Sequence, residues 1–378
     1  MAIATVAKPN AATAQPDALF AGDQLNFDER PLVAIWEVTQ ACDLSCFHCR
    51  ACAQPLRDLR ELTTAEGKRL IDDIAELKVP IFVLTGGDPL KRHDIYELVE
   101  HAAQKGVRPS LTPSATPLLT RAALARLKSC GLARLAVSLD GATPELHDAF
   151  RGVPGSWSRT LEAVRWAREV GLPVQINTTV SARNRGNLEE IAALLEQFDI
   201  VLWSVFFLVP TGRGQQADLI TAEEAEEVFA QLYAISKRVR FHIKTTEGQH
   251  YRRFLLQQKI REASGDVEGS RRGRVPQRAG VNDGKGFIFI SHMGDVYPSG
   301  FLPLLAGSVR HSSLADIYRN SPLLQALRDT DCLKGKCSVC EYRNVCGGSR
   351  ARAFAVTRDP FASDPLCAYV PPLLAQSI

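Results

Sequence analysis

The sequence predicts an α/β fold: a partial (β/α)6 barrel of the TIM type, followed by a small C-terminal domain. Short apolar, β-branched runs alternate with amphipathic helical stretches, a pattern typical of a parallel sheet. Polar residues follow the ends of these runs, where such barrels place their chemistry. The last segment is instead rich in cysteine. The six runs lie at 32–39, 81–87, 108–114, 134–140, 173–180 and 201–209.

Composition changes along the chain set the predicted domain boundaries. Residues 1–28 lack apolar periodicity and are predicted to form a flexible leader, and the barrel is expected to span 29–254. The polar, basic stretch 255–285 is interpreted as a linker or mobile loop. The C-terminal domain, 286–378, should contain a hairpin turning at Met293–Asp295 and a helix near 313–328.

Charge and cysteine content restrict the class of function. A net charge of +3 over 378 residues gives no reason to expect a nucleic-acid or membrane partner. No apolar run approaches the roughly 18 residues of a membrane span, so a cytoplasmic location is predicted. Ten cysteines in that reducing compartment favour metal binding or redox chemistry over disulfides.

Three thiols follow the first predicted strand at a C-x3-C-x2-C spacing: Cys42, Cys46 and Cys49. A 4Fe-4S cluster held by only three cysteines keeps one iron open, and that iron can chelate the amine and carboxylate of an amino acid. Two alternatives remain open on spacing alone. They are a zinc site and a four-cysteine electron-transfer cluster that uses Cys52 as its fourth ligand.

The first cysteine motif resembles the signature of the radical S-adenosylmethionine (SAM) superfamily, with Phe47 preceding His48 and Cys49. The resemblance implies that Cys42, Cys46 and Cys49 are catalytic ligands of a 4Fe-4S cluster with an open iron. It also implies that SAM is reductively cleaved to a 5′-deoxyadenosyl radical that abstracts a substrate hydrogen. A reductant such as flavodoxin or ferredoxin is then an expected partner.

The same resemblance assigns SAM contacts to the ends of later strands. The second run ends in Gly86, Gly87 and Asp88, where the family usually has Gly-Gly-Glu; glycines permit close approach and the carboxylate suits an ammonium group. Arg151 is expected to bind the SAM carboxylate. The loop 210–214 either borders the adenine or is a tight exit loop. The remaining predicted contacts are Ser114, Ser138, Asp140 and Asn177, of which Asp140 and Asn177 could equally cap a helix.

A second group of thiols lies near the C-terminus: Cys337, Cys340, Cys346 and Cys367. Four thiolates can enclose a cluster completely and leave no open iron; tetrahedral zinc is the alternative. The segment resembles the SPASM or Twitch domain of radical SAM maturases, which implies an auxiliary 4Fe-4S cluster. Ser299 and Ser349 replace cysteines of the heme-synthase-like pattern, so we expect one auxiliary cluster rather than two.

Between residues 30 and 372 the sequence resembles enzymes that act on tetrapyrroles, through the phrases HCRACA, LTGGDPL, TTEGQHYRR and CGGSRARAFA. The resemblance implies oxidative decarboxylation or another side-chain modification of a tetrapyrrole. A peptide-modifying maturase is the alternative enzyme, and an iron–sulfur carrier or zinc scaffold the non-enzymatic one. The basic residues of 245–253 either bind a macrocycle or begin a solvated helix. Four further arginines could grip propionates or belong to a basic linker: Arg271, Arg272, Arg274 and Arg278.

Overall fold

The computed structural model describes residues 26–263 and 280–375. These residues form one ten-stranded sheet in the order β10-β9-β8-β1-β2-β3-β4-β5-β6-β7. The strands are β1 Val33–Glu37, β2 Ile81–Thr85, β3 Pro109–Leu111, β4 Arg134–Ser138, β5 Val174–Val180, β6 Leu202–Phe207, β7 His242–Thr246, β8 Phe287–Ile290, β9 Asp295–Tyr297 and β10 Gly307–Ser308.

Strands β1 to β7 are all parallel and pair in chain order, which confirms the predicted partial barrel. The helices are α1 Thr64–Glu76, α2 Ile95–Gln104, α3 Arg121–Ser129, α4 Pro144–Arg151, α5 Ser156–Glu169, α6 Leu188–Leu195, α7 Ala222–Ser236, α8 His250–Ala263, α9 Leu314–Asn320, α10 Pro322–Arg328, α11 Arg350–Thr357 and α12 Pro372–Ala375.

Packing between α1 and β1 shows how the sequence specifies this fold. Thr63 and Glu66 form the capping box that begins α1. The helix then buries Leu70, Ile71 and Ile74 against the sheet, where Trp36 is fully buried. A β-carbon on Gly67 would lie 2.5 Å from the Trp36 ring, so this glycine lets the helix approach the strand closely.

Four strands extend the sheet beyond the predicted six, with β7 at one edge and β8, β9 and β10 at the other. Strand β7 is an edge strand with a single apolar residue among HIKTT, so it lacks the alternation that identified the others. The hairpin of β8 and β9 forms as predicted, but β8 also pairs in parallel with β1. The C-terminal segment therefore extends the barrel sheet beyond β1, and the edge strands of the open sheet are β7 and β10.

The structure also changes three predicted boundaries. Helix α8 continues to Ala263, so the segment expected to be a linker begins within a helix; residues 264–279, with the four arginines at 271–278, lie outside the described residues. Residues 26–28 are not part of a free leader, since the Tyr318 hydroxyl donates to the Phe27 carbonyl over 2.7 Å. The helix expected near 313–328 is two helices, α9 and α10, separated where Pro322 begins the second.

Candidate active site

A cavity of about 220 Å³ lies at the carboxyl ends of the barrel strands, and all three thiols of the first motif line it. Parallel strands bring their carboxyl ends to one edge of the sheet, so residues distant in sequence meet there. The predicted contacts that also line the cavity are Gly86, Gly87, Ser114, Ser138, Arg151 and Asn177. The structure thus gathers nine of the predicted site residues around one space.

The loop that carries the three thiols directs N–H groups at their sulfur atoms. The amides of Leu44 and Ala53 lie 3.3 Å from Cys42 Sγ and 3.5 Å from Cys49 Sγ. Arg151 Nη1 lies 3.7 Å from Cys46 Sγ. N–H donors at sulfur stabilise thiolates and are among the interactions by which proteins tune iron–sulfur clusters. The three residues therefore fit the ligand set of a cluster.

The fourth thiol of this segment is separated from the other three. Cys52 is exposed, has a left-handed φ of 48° and does not line the cavity. Cys52 therefore does not share the cavity of the other three thiols, and the three-cysteine ligand set stays a prediction.

The glycine turn after β2 packs against the strand that leads into the cysteine loop. A β-carbon on Gly86 would lie 2.5 Å from the Thr39 carbonyl oxygen, and one on Gly87 would lie 2.5 Å from that of Ala41. Any side chain here would push the turn away from the loop. The two glycines therefore serve contact between two stretches of backbone, in addition to any contact with a ligand.

The carboxylate of Asp88 does not face the cavity, contrary to the expectation that it receives an ammonium group. It is fully buried and accepts hydrogen bonds from Thr116 Oγ1 at 2.7 Å and from the Leu90 amide at 3.1 Å. Burial raises the pKa of Asp88 to about 6. Asp88 holds the turn in place, and the turn contributes its backbone to the cavity.

Asp140 likewise lies behind the cavity wall rather than in it. It is fully buried, forms an ion pair with Arg151 and accepts a hydrogen bond from the Thr179 amide at 2.7 Å. Burial lowers the pKa of Arg151, but Asp140 and the Cys46 sulfur together outweigh burial and the net shift is upward, so the guanidinium stays charged. The predicted role of Asp140 is therefore corrected. Asp140 positions Arg151 and neither contacts a ligand nor caps a helix.

Ser114 and Asn177 both line the cavity. The Ser114 hydroxyl lies 3.3 Å from Cys42 Sγ and donates to the Gly87 carbonyl over 2.8 Å, which ties the third strand end to both the cysteine loop and the glycine turn. Asn177 lies opposite Ser138 in the sheet and accepts a hydrogen bond from Gln175 over 2.7 Å. Both remain predicted contacts of SAM.

The loop after β6 supports the cysteine loop, a role that its sequence only partly indicated. Gly212 has a φ of +60°, and a β-carbon on it would lie 2.3 Å from the Arg50 carbonyl oxygen. The Arg213 amide donates to the Cys49 carbonyl over 2.9 Å. The left-handed φ and this close approach both require glycine at position 212. The PTGRG segment therefore supports the loop that carries the three thiols.

Aromatic residues complete the cavity, and sequence reasoning did not identify them. Phe206 at the end of β6 and Phe301 after the hairpin both line it, with ring centroids 6.4 Å apart. Arg50 also lines the cavity; its guanidinium pairs with Glu37 at 2.8 Å and lies 4.5 Å from the Phe289 ring centroid. The lining of the cavity therefore combines three thiols with apolar rings and the Arg50 cation.

A second pocket contains all four thiols of the C-terminal motif, Cys337, Cys340, Cys346 and Cys367. The Gly348 amide lies 3.4 Å from Cys346 Sγ, the same kind of donor found at the first site. Within the described part of the chain, no three His, Cys, Asp or Glu side chains are arranged to hold a single metal ion. Four thiols that line one pocket are a ligand set that a closed 4Fe-4S cluster can use. Cys332 does not line this pocket and lies 3.7 Å from Asp329.

Serines 299 and 349 are buried and belong to the chain's own hydrogen-bond network. Ser349 Oγ accepts from the Arg352 amide at 2.9 Å and so caps α11. It also bonds to buried Glu247, while its amide donates to Asp364 over 2.7 Å. Ser299 Oγ accepts from the Phe301 amide at 3.3 Å. Neither serine lines the two pockets described above.

The TTEGQHYRR segment surrounds the second pocket instead of the first. His250 and Arg253 line it, and both are buried, with 1% and 4% of their surfaces exposed. The interpretation as a solvated helix start is therefore wrong, and the segment does not face the cavity that holds the first three thiols.

Among the residues that the structure describes, no helix combines the length and apolar character needed to cross a membrane.

Comparisons with known proteins agree with this geometry. Residues 36–196 match the Radical SAM superfamily. The chain is 40% identical over 341 residues to the AdoMet-dependent heme synthase of Methanosarcina barkeri, covering 90% of this chain and 97% of that protein. It is 29% identical over 360 residues to the PqqA peptide cyclase of Bradyrhizobium diazoefficiens, covering 90% and 87%. The structure of Streptococcus suis SuiB bound to S-adenosylmethionine superposes with a TM-score of 0.69 at 17% identity, covering 90% and 78%, which supports the fold.

Proposed function

The chain belongs to the radical SAM superfamily and is an enzyme of that superfamily, and from this premise we propose that it oxidatively decarboxylates a propionate side chain of a tetrapyrrole. The observation that carries the proposal is one cavity lined by three thiols, each facing an N–H donor, together with apolar rings and the cation of Arg50. The substrate class is supported by 40% identity to a heme synthase over nearly its whole length.

Cys42, Cys46 and Cys49 would hold the 4Fe-4S cluster of the family. When bound and reduced, that cluster supplies the electron that cleaves SAM and yields a 5′-deoxyadenosyl radical. Arg151, kept charged and oriented by Asp140, presents a cation to the cavity and suits the SAM carboxylate. Gly86 and Gly87 contribute backbone groups to the same cavity.

The apolar part of the cavity lining suits a flat molecule that carries carboxylates. Phe206, Phe301 and Val209 provide apolar surface and exclude water, which a radical reaction requires. Arg50 is the cation on this side and can meet a propionate, while Glu37 and the Phe289 ring fix its orientation. The chain's own part in the chemistry is to place one C–H bond near the SAM site.

The second pocket would hold one auxiliary 4Fe-4S cluster, closed by its four cysteines. Ser299 and Ser349 support a single auxiliary cluster, because serines replace the expected cysteines and both hydroxyls are already engaged by the chain. An external reductant such as flavodoxin or ferredoxin would supply electrons. The carrier and scaffold alternatives are set aside, since membership in the superfamily makes the chain an enzyme.

Incubation with iron-coproporphyrin III tests the substrate directly. The anaerobically reconstituted protein, given SAM and a strong reductant, is expected to convert this tetrapyrrole to products lighter by one carbon dioxide and two hydrogen atoms for each propionate that becomes a vinyl group, as read by mass spectrometry. Formation of 5′-deoxyadenosine with an unchanged tetrapyrrole mass would contradict the proposal. That outcome would favour a peptide substrate, the alternative supported by 29% identity to a peptide cyclase.

A further inference from the structure

The start of α8 places basic side chains around the second cysteine pocket. His250 and Arg253 line the pocket together with the four thiols. Arg252 donates through Nη1 to the Val345 carbonyl over 3.2 Å, directly before Cys346. On the opposite side, Lys336 bonds to the carbonyl of Cys367. These cations come from two distant parts of the chain and converge on one site.

Arg253 is the member of this group with the most defined environment. Its side chain is only 5% exposed, and its guanidinium lies 5.2 Å from the ring centroid of Tyr369, two residues after Cys367. Nη1 contacts Glu226 Oε2 at 3.0 Å and Gln257 Oε1 at 2.9 Å. Glu226 belongs to α7, so the barrel holds this cation against the C-terminal pocket.

A buried cation beside such a site has a predictable electrostatic effect. Four thiolates around an oxidised 4Fe-4S core carry net negative charge, and reduction adds one more electron. Charges interact strongly where water is excluded, so a nearby guanidinium favours the reduced state and raises the reduction potential. The carboxylate of Glu226 opposes part of that effect, because its negative charge lies next to the same guanidinium.

We propose that Arg253, held in place by Glu226, is a positioning residue that raises the reduction potential of the cluster at the second site. This inference rests on the auxiliary cluster of the proposed function. It assigns the second arginine of TTEGQHYRR to the second pocket, and it requires no contact between this arginine and the substrate. Burial lowers the pKa of Arg253, but Glu226 outweighs burial and raises it, so the side chain remains charged.

The test is a redox titration followed by electron paramagnetic resonance. It uses the full-length chain with Cys42, Cys46 and Cys49 replaced by alanine, so that only the second site holds a cluster. Arg253→Gln is expected to move the midpoint potential to a more negative value, and Glu226→Gln to a more positive one. Arg253→Lys keeps the charge and should stay near the parent value. Arg121→Gln is the control, since Arg121 pairs with Glu169 and lines neither pocket.

Midpoint potentials that do not move in Arg253→Gln and Glu226→Gln, with iron content retained, would overturn the inference. If Arg253→Gln fails to bind iron, Glu226→Gln and Arg253→Lys decide the question, because both leave a cation at position 253. A parent chain whose second site binds no iron, or binds zinc, would contradict the auxiliary cluster itself and this inference with it. The two failures are thus distinguished by iron analysis of the parent.

Discussion

Replacing Cys42 with alanine is expected to abolish SAM cleavage and to lower the iron content from about eight to about four atoms per chain, as loss of one 4Fe-4S cluster requires. Cys42 is buried, its sulfur accepts the Leu44 amide, and Ser114 lies 3.3 Å away. No other thiol lines the cavity besides Cys46 and Cys49. Iron analysis and chromatographic assay of 5′-deoxyadenosine measure both effects.

Cys52→Ala is the matched control for this variant. The residue lies on the same loop, three positions after Cys49, but is exposed and outside the cavity. It should retain full iron content and nucleoside formation. Equal loss of iron in the Cys42 and Cys52 variants would show that Cys52 is a ligand after all.

Replacing Asp364 with asparagine is expected to destabilise the protein by about 3–5 kcal/mol, the usual cost of breaking a buried ion pair. Arg352 and Asp364 are both fully buried, with 3.0 Å between Nη1 and Oδ2. The carboxylate also accepts the Ser349 amide and contacts His250 at 3.0 Å. The change leaves Arg352 charged and unpaired, and urea unfolding followed by circular dichroism under anaerobic conditions measures it.

Asp359→Asn is the control, because Asp359 pairs with exposed Lys334 at 2.7 Å and such surface pairs contribute only about 0–1 kcal/mol. Burial raises the pKa of Asp364, but the charges of Arg352 and His250 outweigh burial and lower it far below its usual range. The ionised Asp364 carboxylate therefore stabilises the folded state fully at neutral pH. This stabilisation is lost as the pH falls below about 4, the pKa of a carboxyl group in the unfolded chain. Similar losses of stability in the two variants would contradict the buried pair's role.

The sequence was most informative in two places: where apolar, β-branched residues formed regular runs, and where cysteines were regularly spaced. Strands β1 to β6 followed from β-branched runs, and both thiol groups lie together as their spacing predicted. Strand β7 could not be found in this way, because an exposed edge strand needs no apolar alternation. The pairing of β8 with β1 could not be found either, because β8 comes from the C-terminal segment and long-range pairing leaves no local signal.

The direction of a side chain was the property that sequence could not supply. Asp88 and Asp140 lie in the segments expected to form the site, yet both carboxylates turn into the protein and support the turn and Arg151. His250 and Arg253 were ambiguous between solvent and substrate, and the fold placed them at the second thiol pocket. Burial and tertiary contacts decide such cases, since the residue types are the same in each interpretation.

The most direct test is the reaction of the wild-type chain with SAM. After anaerobic reconstitution with iron and sulfide and addition of dithionite, the protein should convert SAM to 5′-deoxyadenosine and methionine. The thiols of Cys42, Cys46 and Cys49, gathered in one cavity beside Arg151, predict that result. A fully reconstituted protein that forms no 5′-deoxyadenosine under strong reduction would contradict it.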